Sequence, residues 1–168
     1  KALVTNLNKL VEAEEGDINR QAAKAVIDQI AGLSETSTVA EIKAAQTAYN
    51  ALTEIQKGLV TNRDRLTELV NKKAISLAMS TISLPTTTRV NLTLPTSIST
   101  ELGTVTVEWA SSDETIMTKT GVKGVAGTVT LTATLTLGEE EDTKEFQVTV
   151  INTNPSRPPI INPTQPEK

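Results

Sequence analysis

The tetrapeptide Leu3-Val4-Thr5-Asn6 returns as Leu59-Val60-Thr61-Asn62. Laying residues 1–14 over 57–70, an offset of 56, also matches Lys1/Lys57, Leu10/Leu66 and Glu12/Glu68, giving seven identities in fourteen positions. Self-similarity at a fixed period is the mark of a repeat architecture, in which a unit buries its apolar face against its neighbour. The chain is therefore expected to open inside one copy and run through the next, as a slice of a longer tandem protein. A part of this kind is expected to space or present its neighbours.

Apolar spacing sets the expected elements. After Asn6, a candidate N-cap, residues Leu7, Leu10, Val11, Ile18, Ala22, Val26, Ile30 and Leu33 recur at helical intervals. The pattern predicts one helix over about 7–31. Gly16 costs roughly 1 kcal/mol relative to Ala in a helix interior, and Asp17 could restart a helix, so a break at 15–17 stays open. Gly32 stands where a C-terminal cap belongs.

Thr38-x-x-Glu41 has the form of a capping box and opens a second helix with Ile42, Ala45, Tyr49 and Leu52 on its core stripe. Thr53-x-x-Gln56 repeats that logic for a short piece ending near Leu59 or Val60. Asn62 is the expected cap of a third long helix, with Leu66, Leu69, Val70 and Ile75 inward, fading before Pro85. Short connections between three amphipathic helices predict a three-helix bundle. If the helix after each Leu-Val-Thr-Asn ends one unit and begins the next, continuous helix joins the units as a rod.

From Val90 the apolar period drops to two. Val90–Leu94, Val105–Trp109, Val129–Leu137 and Phe146–Val150 each alternate apolar with polar residues, and Pro95 and a series of glycines separate them. Short antiparallel strands with one dry face predict a small β-sandwich, with Trp109 and Phe146 as its largest core side chains. The fold class expected is thus α+β in two domains: a helical bundle repeat over 1–80 and an Ig-like antiparallel sandwich over 81–152. The proline-rich segment 153–168 is expected to be a semi-stiff linker to a further domain.

The strand-rich segment resembles the atrophied bacterial immunoglobulin-like domain over about 74–152. The resemblance rests on Leu92-Thr93-Leu94-Pro95-Thr96, Val107-Glu108-Trp109-Ala110-Ser111-Ser112-Asp113 followed by Ile116, Gly121, Val129–Thr134 and Lys144–Val150. The chain departs from that pattern in its acidic Glu139–Asp142 loop and in lacking the usual Asn or Ser before the second strand closes. The helical part, with Ala48–Thr53 leading to Gln56-Lys57 and the repeated tetrapeptide, is similar to repeats of modular surface proteins of Gram-positive bacteria. These resemblances imply a secreted or wall-attached multimodular protein, and they carry over no catalytic residues.

The residue inventory removes whole classes of chemistry. The 168 residues include no His and no Cys, so disulfides, thiol nucleophiles, His-based triads and Cys or His metal ligands are excluded. Net charge is −4 with no basic cluster, which argues against nucleic acid as a partner. No apolar run is long enough to insert in a membrane. Three aromatics, Tyr49, Trp109 and Phe146, are too few for a sugar-stacking platform.

Several residue groups invite sharper readings. Glu139–Asp142 lacks the ligand spacing of a calcium loop and reads as a solvated hairpin tip. The carboxylates Glu12/Glu14/Glu15 and Asp113/Glu114 read as surface groups, and Asn91-Leu92-Thr93 as a chance glycosylation triplet. Lys119 or Lys144 with Asn91 and Glu108 could be imagined as an amide crosslink, but the alternation puts Glu108 on the wet face, where nothing would activate the acid. Thr128, Thr130, Thr132, Thr134 and Thr136 form a polar face expected to be solvated. The readings retained are a non-catalytic spacer without cofactor or metal, whose partners are neighbouring domains of the parent chain, and, as the alternative, a module binding a glycan, cell-wall polymer or protein through the threonine face or loops 96–103 and 138–143.

Overall fold

The computed structural model describes residues 2–152, with side chains from Leu3 onward. The expected proline-rich linker, 153–168, lies outside the described residues. The chain is α+β: helices α1 (Ala2–Ala31), α2 (Val39–Ala51), α3 (Glu54–Gly58) and α4 (Arg63–Thr81) precede strands β1 (Thr87–Thr88), β2 (Ser97–Thr100), β3 (Gly103–Ser111), β4 (Gly127–Leu137) and β5 (Glu140–Val150). The strands form one sheet in the order β1-β5-β4-β3-β2. By contacts the chain divides into two compact units. One holds residues 1–82, 95–108 and 134–143, and the other holds 83–94, 109–133 and the chain from 144.

In the first unit both predicted capping boxes are present. The Glu41 amide donates to Thr38 Oγ1 at 3.3 Å and the Thr38 amide to Glu41 Oε2 at 2.7 Å; at α3 the Gln56 amide donates to Thr53 Oγ1 at 3.3 Å and the Thr53 amide to Gln56 Oε1 at 3.0 Å. Each box satisfies two backbone donors that the first helical turn leaves free, a contribution of about 1 kcal/mol. α1 is continuous through Gly16 and ends at Ala31 just before Gly32, which removes the alternative break. It also begins upstream of Asn6, so Asn6 lies inside the helix and caps nothing.

The apolar stripe of α1 divides in two. Ala23, Val26 and Ile30, and Leu33 just beyond the helix, are buried, whereas Leu7, Leu10, Val11 and Ile18, expected to be core, are exposed. The elements that pack on α1 account for the division. Among its tertiary hydrogen bonds, Gln56 Nε2 reaches Asn19 Oδ1 at 3.0 Å, Asn62 Nδ2 donates to Ile27 O at 2.9 Å, and Arg65 Nη2 donates to Leu33 O at 2.6 Å. All three fall on residue 19 or later. On α4 the expected Leu66, Leu69, Val70 and Ile75 are buried, joined by Ala74 and Ala78. Asn62 occupies the N-cap position of α4 but makes no capping bond, because its carboxamide is turned to Ile27; its Oδ1 is buried without a partner.

The strand pattern needs three corrections. First, Val90–Leu94 is not a strand. The Thr88 hydroxyl donates to Val90 O at 2.8 Å and accepts from the Val90 amide at 3.2 Å, which folds the backbone back on itself and throws Val90 into solvent. Pairing at this point comes instead from β1, which runs parallel to β5 with Thr87 opposite Thr149 and Thr88 opposite Val150. Second, Ser97–Thr100, expected to be a loop, pairs antiparallel with β3, Ile98 opposite Val105. Third, the strands form a single mixed sheet in place of the expected two-sheet antiparallel sandwich, because residues 90–94 supply no ladder and are tied in by isolated bonds such as that from the Leu92 amide to Gly121 O at 2.9 Å.

The second unit is built on Met117, Val129, Leu131, Val148 and Val150, all essentially inaccessible, with Leu92, Leu94, Trp109 and Phe146 packed around them. Each fully buried aliphatic contributes roughly 1.5–3 kcal/mol of transfer free energy. Trp109 and Phe146 are half-buried and sit on the rim, ring centroids 5.6 Å apart at 41°. The interior is aliphatic because the inward positions of β4 and β5 are β-branched or Leu.

Candidate functional site

The first unit carries a half-open cleft of about 330 Å³. Its floor is Ile42, Leu69 and Ile75, and its rim carries Glu35, Lys72 and Glu140–Asp142. Residues 140–142 arrive there because Gly138, at φ +63, allows a tight β4–β5 turn that carries the acidic run directly into β5. The acidic run is therefore mostly strand, with only Glu139 left in the turn, and the expected hairpin tip is correspondingly smaller.

Lys72 is the pivot of the cleft. Its Nζ donates to Glu68 Oε1 at 2.6 Å and to Glu35 Oε1 at 3.2 Å. Those two carboxylates hold the ammonium well above its ordinary pKa, the Glu68 hydrogen bond contributing most, and the same contact lowers Glu68. The Glu68–Lys72 pairing is legible as an i,i+4 pair with Glu leading. The closing of Glu35 onto it, across 37 positions of sequence, has no local signal.

The other displaced carboxylates also move down. Glu41 is lowered by the Thr38 backbone amide, and Asp113 by the Thr115 hydroxyl and amide. Downward is the wrong direction for a general acid at neutral pH, which needs a raised carboxyl. Asp113 acts as a turn former: its Oδ1 accepts from the Thr115 amide at 2.9 Å and from Thr115 Oγ1 at 2.6 Å, and its carbonyl accepts from the Ile116 and Met117 amides. That turn seats the fully buried Met117, which the sequence pattern did not single out.

The remaining candidates separate from one another. Glu12, Glu14 and Glu15 are exposed along α1. Glu108 is exposed, and the Asn91 side-chain oxygen accepts from the Lys123 amide at 2.9 Å, so the imagined crosslink residues are tied elsewhere. Of the threonine face only Thr128 is exposed; Thr130, Thr132, Thr134 and Thr136 are half-buried. Loop 96–103 is mostly β2 and its turn. Among the described residues no group of three Asp, Glu, His or Cys side chains could hold a metal, and no helix is long and apolar enough to cross a membrane.

The chain is a member of the atrophied bacterial Ig domain family, whose model matches residues 70–153, half of its length. That match bears out the resemblance read from 74–152 and starts a little earlier, within α4; it gives no support to the helical repeat that precedes it. No curated protein matches the chain in sequence.

Proposed function

We propose that this chain is a non-catalytic spacer of a bacterial cell-surface or secreted modular protein. In that reading residues 1–80 are a helical bundle repeat, 81–152 a reduced Ig-type module, and 153–168 a linker to further domains. The observation that carries it is α1: 30 residues of unbroken helix through Gly16, a strut of about 45 Å at 1.5 Å per residue. A helix that begins in one copy of a repeat and runs into the core of the next transmits orientation, where a loop would lose it. The family membership of residues 70–153 supports the modular setting. The mixed charge of the cleft and the engagement of Lys72 support a structural role for those residues.

Small-angle scattering of a chain carrying three tandem helical repeats tests the reading. A rod whose maximum dimension grows linearly with repeat number is expected, and a compact particle refutes it. Saturable binding to purified cell wall or to arrayed glycans would replace the spacer with the binding module.

A further inference from the structure

We infer that the exposed N-terminal face of α1, Leu3 to Leu10, is a docking surface for an upstream copy of this same helical repeat. The second occurrence of the tetrapeptide shows the face occupied. Val60 is 8% exposed and Leu66 4%, while their counterparts at the offset of 56, Val4 and Leu10, are 62% and 57% exposed. Two large apolar side chains of the shared sequence are thus covered in one copy and bare in the other, whereas Leu59, like Leu3, is exposed.

The polar partners agree residue by residue. Asn62 fixes its segment by donating to Ile27 O, and Arg65 by donating to Leu33 O at the end of α1. Their counterparts are Asn6 and Lys9, so the same amide donor and a basic donor stand ready for the carbonyls of an upstream helix end. Arg63 lies 6.0 Å from the Tyr49 ring centroid, and its counterpart Leu7 would meet the equivalent ring. Leu3, Val4, Asn6, Leu7 and Leu10 line an open groove of about 340 Å³.

The two copies differ in backbone in the sense that docking requires. Val60 is non-helical and α4 starts at Arg63, whereas residues 3–6 are helical extensions of α1. With an upstream bundle in place, residues 3–6 adopt the turn seen at 59–62 and the helix begins at Leu7. Identity between the copies also ends after Glu12/Glu68, just before Leu69 and Val70 of α4, which become Ala13 and Glu14. Of the shared positions, Val60 and Leu66 are buried and Asn62 is half-buried, and these are the ones whose counterparts on α1 await a partner.

The inference rests on the spacer reading only for the order of the units, and its test is separate. The chain has no Cys, so Leu10→Cys reports exposure by its rate of thiol labelling. The rate is compared between the 168-residue chain and one in which residues 7–62 are repeated once ahead of Leu7, with the cysteine in the downstream copy. Slowing of at least about tenfold in the longer chain is expected, while Ile55→Cys in the same downstream copy keeps its rate. Equal rates in the two chains overturn the inference, as does slowing in the 168-residue chain that grows with its concentration, which would mean that the face pairs with itself. Amide hydrogen exchange of residues 3–12 in the cysteine-free chains gives a second reading: about tenfold protection on lengthening is expected, and none overturns the inference. A scattering rod with unprotected Leu10 leaves the spacer standing and removes this docking face alone.

Discussion

Gly121 is the position where a single methyl group should do most damage. Its φ is +82, and a Cβ built there would lie 2.1 Å from Leu92 O, whose own amide donates back to Gly121 O. An L-residue at positive φ costs about 1–2 kcal/mol. The contact adds to this because its partner is a backbone oxygen, which can retreat only by moving residues 91–94 and losing the Leu92–Gly121 hydrogen bond, worth about 0.5–1.5 kcal/mol. Gly121→Ala is thus expected to destabilise the second unit by about 1.5–3.5 kcal/mol. Trp109, the only tryptophan, lies in the same unit, so urea unfolding followed by its fluorescence reads this loss directly. With a urea slope of about 1.5 kcal/mol per molar, the midpoint should fall by about 1–2.3 M. Gly121→Asn separates the two causes. Asn tolerates positive φ, so if the dihedral alone mattered it would recover most of the loss, whereas the contact with Leu92 penalises any Cβ. A midpoint for Gly121→Ala within about 0.3 M of the parent, or an Asn variant close to it, refutes the reasoning.

Other positions give outcomes of different sign. Gly16→Ala should stabilise α1 by about 0.5–1 kcal/mol, since the new methyl would meet only the mobile Arg20 guanidinium at 3.6 Å; thermal unfolding at 222 nm checks it. Leu131→Ala, at a fully inaccessible position, should cost about 2–5 kcal/mol and lower the Trp109 urea midpoint more than Leu7→Ala lowers the helical transition. Acidification should destabilise the chain. Glu41, Glu68 and Asp113 all have folded-state pKa values below the ordinary ones, so their contribution is present above the unfolded values of 4.5 and 3.8 and is lost as pH falls through the folded values. Urea midpoints measured from pH 7 down to pH 3 should fall, and Glu41→Gln should flatten part of that slope.

What could be read from the sequence was what local chemistry decides. Both Thr capping boxes, the extents of α2 and α4, and the inward residues of β3, β4 and β5 follow from spacing and hydrogen-bonding capacity within a few residues. The errors fall where a distant partner decides. Asn6 and Asn62 both follow Leu-Val-Thr but differ in structure, and only Asn62 has Ile27 beside it. Val90–Leu94 alternates like a strand, yet the Thr88 hydroxyl captures the backbone of Val90 before any ladder can form. The cleft around Lys72 depends on Glu35, which no periodicity brings to it. Met117 is buried by the Asp113 turn, and that turn was visible only as part of a family resemblance.

The way the sheet ends has a consequence for how copies of this chain meet one another. β1 covers β5 only at Thr149 and Val150, so among the described residues the outer side of β5 from Glu140 to Val148 has no strand beside it. An edge of that length without a partner strand invites a strand from an adjacent molecule. Glu141, Asp142 and Glu145 stand exposed along this margin and would face like charges on any identical strand brought alongside. The acidic run that looked like a stray loop in the primary structure is thus placed to keep neighbouring copies from fusing into β-aggregates.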